Sequence, residues 1–425
     1  MFAALHGMNE LMKNFLQRNN VRLGADDLYK VDGTCPMAVV EPANEQEMSR
    51  WLTECFRHRA VVNVWGGGVH QATGGHLDPY DIALSTARMK RIVEYEPDNL
   101  TISAEAGVTI PDVQKVVQQQ DLMFPVNPPS VGKITLGGFV AANCFGSLCH
   151  RYGTARDLLL GLKAVLADGS VVRFGGKTVK NVAGYDVAKL LIGSMGTLAV
   201  IVEMTFRLWP KPKSVYSTRF YVSTLDELEA LLRDINSSTL PILDVVLHSV
   251  KTGTPAGVTL SMRIEEEEGM EEKIVAIHPR IDCKRTHGDR LFDPQPDLES
   301  FFTADRNRIL LRWHVPKSAV NDVFKLLETD PASRVLPVEV VSYPTRGIVY
   351  CRMANEEETL AVVKRWREKA QSLGGFVIIE KASEEFKNKM DAWQMDSAQL
   401  RYQRKIKEEF DPNRVFATGR FLGGL

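Results

Sequence analysis

Short apolar segments alternate with turn residues along the first half of the chain. Apolar segments of this length, bounded by turn residues, predict strands at Val39–Pro42, Val61–Val64, Ile82–Ser85, Ile92–Glu96, Thr101–Glu105, Leu162–Leu166, Val171–Phe174 and Leu198–Leu208. Helical spacing of apolar residues predicts helices within the first thirty residues or so and after Asn44, whose side chain can cap a helix starting near Glu45. Pro111 suits the first turn of another helix.

The pattern changes after Pro210 and Pro212, which suggest a domain boundary. Strands are predicted at Tyr216–Val222, Leu243–Val250, Gly257–Ile264, Arg308–Val315, Gly347–Met353 and Phe376–Glu380, and helices at Leu225–Ile235, Ala319–Leu327, Glu357–Leu373 and Leu400–Phe410. We therefore predict an α+β protein with three segments. Residues 1–212 form the first domain, 213–399 an inserted domain of antiparallel sheet and helices, and 400–425 a tail that returns to the first domain.

Charge and cysteine content narrow the function classes. The 425 residues carry 52 Lys and Arg against 53 Asp and Glu, a net charge of −1, which argues against a nucleic-acid partner. Six cysteines are scattered along the chain, unlike a disulfide framework, so we expect a reducing, cytoplasmic compartment. No secretory signal is recognisable, and the uncharged stretches Ile134–Cys149 and Leu190–Val202 do not predict a transmembrane segment.

Glycines cluster in four segments between Gly66 and Gly196. The first, Gly66-Gly67-Gly68, directly follows a predicted strand. Glycine lets backbone approach a ligand closely, and successive N–H groups can hold phosphate oxygens, although a flexible loop remains an alternative. The segment is not G-x-G-x-x-G opening a helix, so it is not a Rossmann fingerprint, and the P-loop lysine and hydroxyl are absent.

Five motifs occur in order: the three glycines after a strand, TLGG-x-x-A-x-N at Thr135–Asn143, RYG-x-x-x-D at Arg151–Asp157, LADGSVVRFG, and GTLAVI-x-E from Gly196. Together they resemble the FAD-binding fold of the vanillyl-alcohol oxidase and para-cresol methylhydroxylase (PCMH) superfamily. Within it, Lys177–Val187 and the ending Phe410–Arg420 resemble the FAD-binding accessory subunit of bacterial glycolate oxidase.

The resemblance implies the cofactor and its contacts. It implies FAD bound by Trp65, Gly66, Gly67, Gly68, Val69, His70, Pro129, Ser130, Val131, Gly132, Thr135, Leu136, Gly137, Gly138, Ala141, Ala142, Asn143, Cys144, Gly153, Asp157, Gly196, Thr197, Leu198, Val200 and Ile201. A covalent flavin histidine, in members that have one, directly follows the glycines. Val69 stands there, so we expect non-covalent FAD, and His70 can equally be an ordinary loop histidine.

The resemblance also implies partners. It suggests a complex that oxidises a small 2-hydroxy acid such as glycolate or lactate, with a catalytic flavin subunit and an iron–sulfur subunit, reaching the inner membrane only through those partners. Two alternatives remain: a self-sufficient FAD-dependent 2-hydroxy-acid dehydrogenase, and a flavin-free structural subunit.

Catalytic residues are not assigned by the sequence. His287-Gly288-Asp289 lacks the continuation of the histidine-rich metal motif of related catalytic members, so we expect a polar loop. Cys144, Cys149 and His150 are expected to be packing residues rather than a metal site. Tyr185, Arg312, His314 and Arg352 are candidate substrate-side residues, with Arg312 and His314 on one face of a strand. We expect that pair to be exposed.

Overall fold

A computed structural model describes residues 9–21, 23–24, 26–176, 186–249, 258–277, 282–292, 296–303 and 307–425. The strands up to residue 210 are β1 (Ala38–Val40), β2 (Val62–Trp65), β3 (Ile82–Ser85), β4 (Ile92–Glu96), β5 (Thr101–Glu105), β6 (Leu122–Met123), β7 (Leu159–Val165), β8 (Val171–Gly175), β9 (Val200–Arg207) and β10 (Trp209–Pro210). The helices are α1 (Glu10–Arg18), α2 (Glu45–His58), α3 (Ile110–Val117), α4 (Leu136–Ala142), α5 (Cys149–Tyr152), α6 (Ala155–Leu158) and α7 (Ala188–Leu191).

Two main sheets make up this N-terminal part. A parallel sheet has the order β1-β3-β2, and an antiparallel sheet has the order β4-β5-β9-β7-β8. Helix α2 begins at the predicted cap, where the Asn44 side chain accepts a hydrogen bond from the N–H of Glu47. Its apolar stripe, including Trp51 and Leu52, packs against the parallel sheet and against Val200 and Val202 of β9. The two sheets therefore share one core.

A larger sheet follows. Its strands are β11 (Ser214–Val222), β12 (Ile242–Ser249), β13 (Val258–Glu265), β14 (Asp282–His287), β15 (Arg308–His314), β16 (Glu339–Tyr343), β17 (Ile348–Ala354) and β18 (Phe376–Lys381), in the order β14-β11-β13-β12-β16-β17-β15-β18. The helices are α8 (Leu225–Ser237), α9 (Met270–Ile277), α10 (Pro296–Phe302), α11 (Val320–Thr329), α12 (Pro331–Val335), α13 (Glu357–Ser372), α14 (Glu384–Lys389) and α15 (Ser397–Phe410).

The two faces of this sheet have different neighbours because side chains alternate along each strand. Leu311 and Trp313 of β15 point to the face covered by α8, α11 and α13. Leu310, on the other face, packs in a cluster with Phe145 of the N-terminal part. Arg312 and His314 share the face of Leu310, so the sequence alternation aims them at the N-terminal part.

The C-terminal segment packs back onto the parallel sheet. Phe416 bridges to Val62 in parallel, with the Ala417 N–H donating to the Val62 carbonyl at 2.9 Å. The buried Lys407 ammonium donates to the Thr197 carbonyl at 2.8 Å and pairs with Asp411 at 2.6 Å. From these contacts we propose that residues 400–425 return to the first domain.

The predicted α+β class is confirmed: the chain is a mixed helix and sheet protein with a large antiparallel sheet in its second half. Three predicted strands, at Ile82–Ser85, Ile92–Glu96 and Thr101–Glu105, have their predicted bounds. The N-terminal helix ends at Arg18, earlier than predicted, and the sequence pattern did not predict α4 in its glycine-rich segment or the strands β14 and β16. In the described residues, no helix is long and apolar enough to cross a bilayer.

Candidate functional site

The three glycines after β2 pack directly on a neighbouring segment. An added Cβ on Gly67 would overlap the carbonyl oxygen of Lys133, and one on Gly66 would overlap the Thr135 hydroxyl. Thr135 also begins α4, where its hydroxyl accepts from the N–H of Gly138 at 3.3 Å. The glycines therefore allow two backbone segments to meet where larger residues would hold them apart.

A first cavity, of about 650 Å³, opens along this glycine loop. Its lining includes the predicted residues Trp65, Gly66, Gly67, Gly68, Val69, His70, Thr135, Gly137, Gly138, Ala141, Ala142, Gly196 and Ile201. Gln71 and Arg420 also line it and are not predicted by the sequence pattern. Backbone and small side chains dominate the wall, as expected where a large ligand lies against the main chain.

A second cavity, of about 960 Å³, lies between the glycine-rich part and the eight-stranded sheet. The predicted residues Pro129, Ser130, Asn143 and Cys144 line it, with Arg312, His314, Tyr350, Glu380, Lys381 and Trp393 of the larger sheet and the segment after it. Val69, His70, Ala142 and Met195 line both cavities. The two cavities therefore meet along one shared wall.

The two cationic side chains of the second cavity have different hydrogen-bond partners. Arg312 forms an ion pair with Glu380 at 2.8 Å, and both side chains are nearly buried. Lys381 instead donates to the carbonyl of Phe302 at 3.0 Å, and burial lowers the pKa of its ammonium. Arg312, Lys381 and Glu380 leave the described lining with an excess of one positive charge.

Two histidines stay neutral at pH 7. Burial, with the nearby charges of Lys381 and Arg312, lowers the pKa of His70 to about 4. Burial and Arg312 lower the pKa of His314 to about 3. The Nε2 atom of each imidazole is buried without a hydrogen-bond partner within the described chain. Each could accept or donate a hydrogen bond with a ligand, depending on its tautomer.

Other buried polar atoms around the cavities also lack partners. Among described residues these include Thr73 Oγ1, Asn143 Oδ1 and Arg420 Nε. Native proteins rarely leave such groups unpaired, so a polar ligand is expected to complete them. With the glycine loop on one side, this wall fits FAD, which carries a pyrophosphate and a polar ring system.

Several predicted residues lie away from both cavities. These are Val131, Gly132, Leu136, Gly153, Asp157, Thr197, Leu198 and Val200. Asp157 and Thr154 form the capping box of α6, and a Cβ on Gly153 would overlap the Asp157 carboxylate. Leu136, Leu198 and Val200 are core residues. These residues therefore stabilise the backbone around the cavities and do not line either cavity.

The expectation of an exposed Arg312 and His314 is wrong. Both side chains are largely buried at the second cavity, because their face of β15 is covered by the N-terminal part. Arg352 lies elsewhere and pairs with Glu339. Tyr185 and most of the Lys177–Val187 motif fall at 177–185, outside the described residues.

The other cysteines and histidines considered as metal ligands lie in buried or hydrogen-bonded positions. Burial raises the pKa of the Cys144 and Cys149 thiols to about 12, so both stay protonated. His150 Nδ1 lies 2.7 Å from the Thr345 hydroxyl. His287 and Gly288 lie at the end of β14, where the Gly288 N–H donates to the Lys213 carbonyl. Within the described ranges, no three Cys, His, Asp or Glu side chains form a metal-ligand group.

Comparison with known proteins adds the cofactor. Residues 36–175 match the family model of the FAD binding domain. The chain is 28% identical to glycolate oxidase subunit GlcD of Bacillus subtilis, over 96% of this chain and 94% of that protein. It is 34% identical to D-lactate dehydrogenase of Archaeoglobus fulgidus over about half of each chain. It is 35% identical to glycolate oxidase subunit GlcE of Escherichia coli, over 36% of this chain and 43% of that one.

A solved structure shares the fold along most of the chain. Alkyldihydroxyacetonephosphate synthase superposes with a TM-score of 0.69 over 95% of this chain and 83% of that one, at 16% identity. That likeness concerns the fold alone. The family match covers the glycine loop and the segment with α4 that lies against it. Residues 36–175 thus match the FAD binding domain family, and the relatives named above are described as glycolate oxidase subunits and a D-lactate dehydrogenase.

Proposed function

We propose that this chain is the FAD-binding subunit of a complex that oxidises a small 2-hydroxy acid and passes the electrons to an iron–sulfur partner. The meeting of the two cavities at His70 and Met195 carries the proposal. A cofactor along the glycine loop would border the polar second cavity through that shared wall. FAD, when bound, carries the two electrons that the complex takes from its substrate.

The first cavity is proposed to hold the pyrophosphate half of FAD. Gly66, Gly67 and Gly68 supply a wall of bare backbone, and Gly137 and Gly138 at the start of α4 supply the opposite wall. Ala142 and Asn143 are proposed to lie beside the ring, since they reach the second cavity. FAD is proposed to be bound non-covalently, because Val69 and not a histidine directly follows the glycines.

The second cavity is proposed to bind a small carboxylate, and only in the self-sufficient alternative described below would that carboxylate be the 2-hydroxy acid itself. Its single excess positive charge suits one carboxylate, and Lys381 is the cation that no ion pair among the described residues neutralises. In that alternative, His70 or His314, each neutral with a free Nε2, would accept the hydroxyl proton as the substrate is oxidised.

The relatives support a complex. Two of them are named as subunits of glycolate oxidase, GlcD and GlcE. We propose that this chain plays the accessory part beside a catalytic flavin subunit and an iron–sulfur subunit. The described cysteines are free thiols, which supports a cytoplasmic site for that complex, with any contact with the inner membrane made by its partners.

A second candidate is a self-sufficient 2-hydroxy-acid dehydrogenase. The observation in its favour is that one chain brings a cation, Lys381, and two neutral imidazoles to the same cavity. A cation of this type can bind the substrate's carboxylate, and a neutral imidazole can accept its hydroxyl proton.

Anaerobic mixing of the isolated, FAD-loaded chain with D-lactate or glycolate separates the two candidates. The accessory proposal expects that neither acid alone bleaches the visible absorbance of the oxidised flavin. Purification of the native complex should then recover an iron–sulfur protein and a second flavoprotein. Rapid bleaching by the chain alone would establish the dehydrogenase instead. An isolated chain without affinity for FAD would contradict both.

A further inference from the structure

Arg420 presents a buried cation to the first cavity without an anionic partner. The residue is 4% exposed. One guanidinium nitrogen donates to the backbone and side-chain oxygens of Gln71, another donates to the carbonyl of Met195, and Nε has no partner. Within the described residues, no carboxylate forms an ion pair with it. Buried charges are normally paired, because removing a charge from water is costly.

The surrounding charges do not neutralise this guanidinium. Asp32 is the carboxylate whose field acts on Arg420, and Asp32 is itself bound to the ammonium of Lys387 at 3.0 Å. Burial lowers the pKa of Arg420 to about 10, so the side chain still carries its charge at pH 7. It is also the one formally charged side chain of the described lining, since His70 is neutral.

The backbone of Arg420 is fixed in place. Its carbonyl accepts from the Trp393 indole N–H at 2.8 Å and from the Gly75 N–H at 2.9 Å. A Cβ on Gly74 would lie 2.5 Å from the same oxygen, and Gly74 has a φ of +90°, so this position favours glycine. The fold therefore holds the C-terminal segment so that the guanidinium reaches the cavity wall.

We propose that Arg420 is a cofactor-binding residue, which supplies the positive charge that offsets negatively charged oxygens of bound FAD. Met195, whose carbonyl accepts a hydrogen bond from the Arg420 guanidinium, lies on the wall shared by the two cavities. The anion is therefore either the pyrophosphate or the ring, which gains negative charge on reduction. The inference rests on FAD binding and not on the proposed substrate or complex.

Affinity of the apoprotein for FAD, measured by flavin fluorescence quenching, tests the proposal with Arg420→Lys, Arg420→Gln and Arg420→Met. We expect Gln and Met to weaken FAD binding by about tenfold or more, and Lys to keep most of the affinity, because a charge-assisted hydrogen bond is worth about 1.5–3 kcal/mol. Arg414→Met, at an exposed arginine of the same segment, is the matched control and should bind FAD like the wild type.

Two further probes locate the anion. A parallel loss of affinity for ADP would place it at the pyrophosphate, whereas unchanged ADP affinity with a lower reduction potential would place it at the ring. Equal losses for Lys and Gln, with a matching drop in apoprotein melting temperature, would show a merely structural role and overturn the proposal. So would FAD affinity within about twofold of the wild type for Gln or Met.

Discussion

Gly67 lies so close to the carbonyl oxygen of Lys133 that any Cβ on Gly67 would overlap that oxygen. The contact joins the loop after β2 to the segment that leads into α4. Both segments line the first cavity, at Gly66, Gly67 and Ile134. The width of the proposed pyrophosphate site therefore depends on the absence of one carbon atom.

We expect Gly67→Val to abolish FAD retention, because the two backbone walls must separate to admit the side chain. Gly132→Ala is the matched control: Gly132 lines neither cavity, and a Cβ there meets nothing within 4 Å. The flavin-to-protein absorbance ratio after gel filtration measures the effect. A fully yellow Gly67→Val protein would contradict the assignment of this cavity to FAD.

Replacement of Glu380 should strengthen carboxylate binding in the second cavity. Glu380→Gln removes the charge that pairs with Arg312 at 2.8 Å and preserves the side-chain shape. The freed guanidinium should lower the Kd for oxalate, a small carboxylate probe, by about tenfold, in line with hydrogen bonds to charged groups. Calorimetric titration of the FAD-loaded protein measures the Kd. Lys381→Gln should act in the opposite direction, and equal Kd values for all three proteins would contradict the proposed substrate site.

Acid should destabilise the protein partly through His314. Its folded-state pKa of about 3 lies below the ordinary value of 6.5, so between these values the unfolded chain binds a proton that the folded chain does not. Stability is thus retained above pH 6.5 and lost as the pH falls toward 3, by about 1.4 kcal/mol per pH unit for this group. Urea unfolding of apoprotein should show a shallower loss between pH 6.5 and 5 for His314→Asn. If the unfolding free energy of the wild type and of His314→Asn falls equally steeply with pH in that range, this account is refuted. Above pH 7.5 the two proteins should show the same pH dependence whether or not the account holds.

The buried pair of Lys387 and Asp32 should stabilise the contact between α14 and the N-terminal part. Lys387 donates to both Asp32 oxygens at 3.0 Å and to the carbonyl of Ala72 at 2.9 Å. Lys387→Met leaves a buried carboxylate unpaired and should cost about 3–5 kcal/mol of unfolding free energy. The double variant with Asp32→Asn should recover part of this loss in urea unfolding. If the losses of unfolding free energy in Lys387→Met and Asp32→Asn simply add in the double variant, the two ions do not act as a pair.

The sequence pattern predicted many elements but not their surroundings. Alternation in β15 correctly placed Arg312 and His314 on one face, yet it could not tell which face would be covered. The N-terminal part supplies that cover through Phe145, which packs in one cluster with Leu310 and Tyr350 although it is distant from them in sequence. Such contacts are non-local and leave no mark in the local pattern.

The glycine-rich segments show the same division. Their clustering between Gly66 and Gly196 indicated a backbone-lined site, and thirteen of the predicted residues line the first cavity. The spacing could not show that Leu136–Ala142 forms a helix, because glycine disfavours helices, and the core contacts of Phe139 and Val140 that favour it are non-local. It also could not separate Gly132 and Gly153 from the residues that line the cavity.

The sequence by itself determined most of the strands, the cap at Asn44, the glycine clusters and the resemblance to an FAD-binding fold, because these depend on residues close together in the chain. The tertiary structure decided which side chains meet: Arg312 with Glu380, the two cavities at His70, and Arg420 with the glycine loop. Arg420 is the clearest case, since Gln71 and Met195, which hold its guanidinium, are far from it along the chain. Only the folded chain brings that charge to the cavity, because it depends on the C-terminal segment packing beside β2.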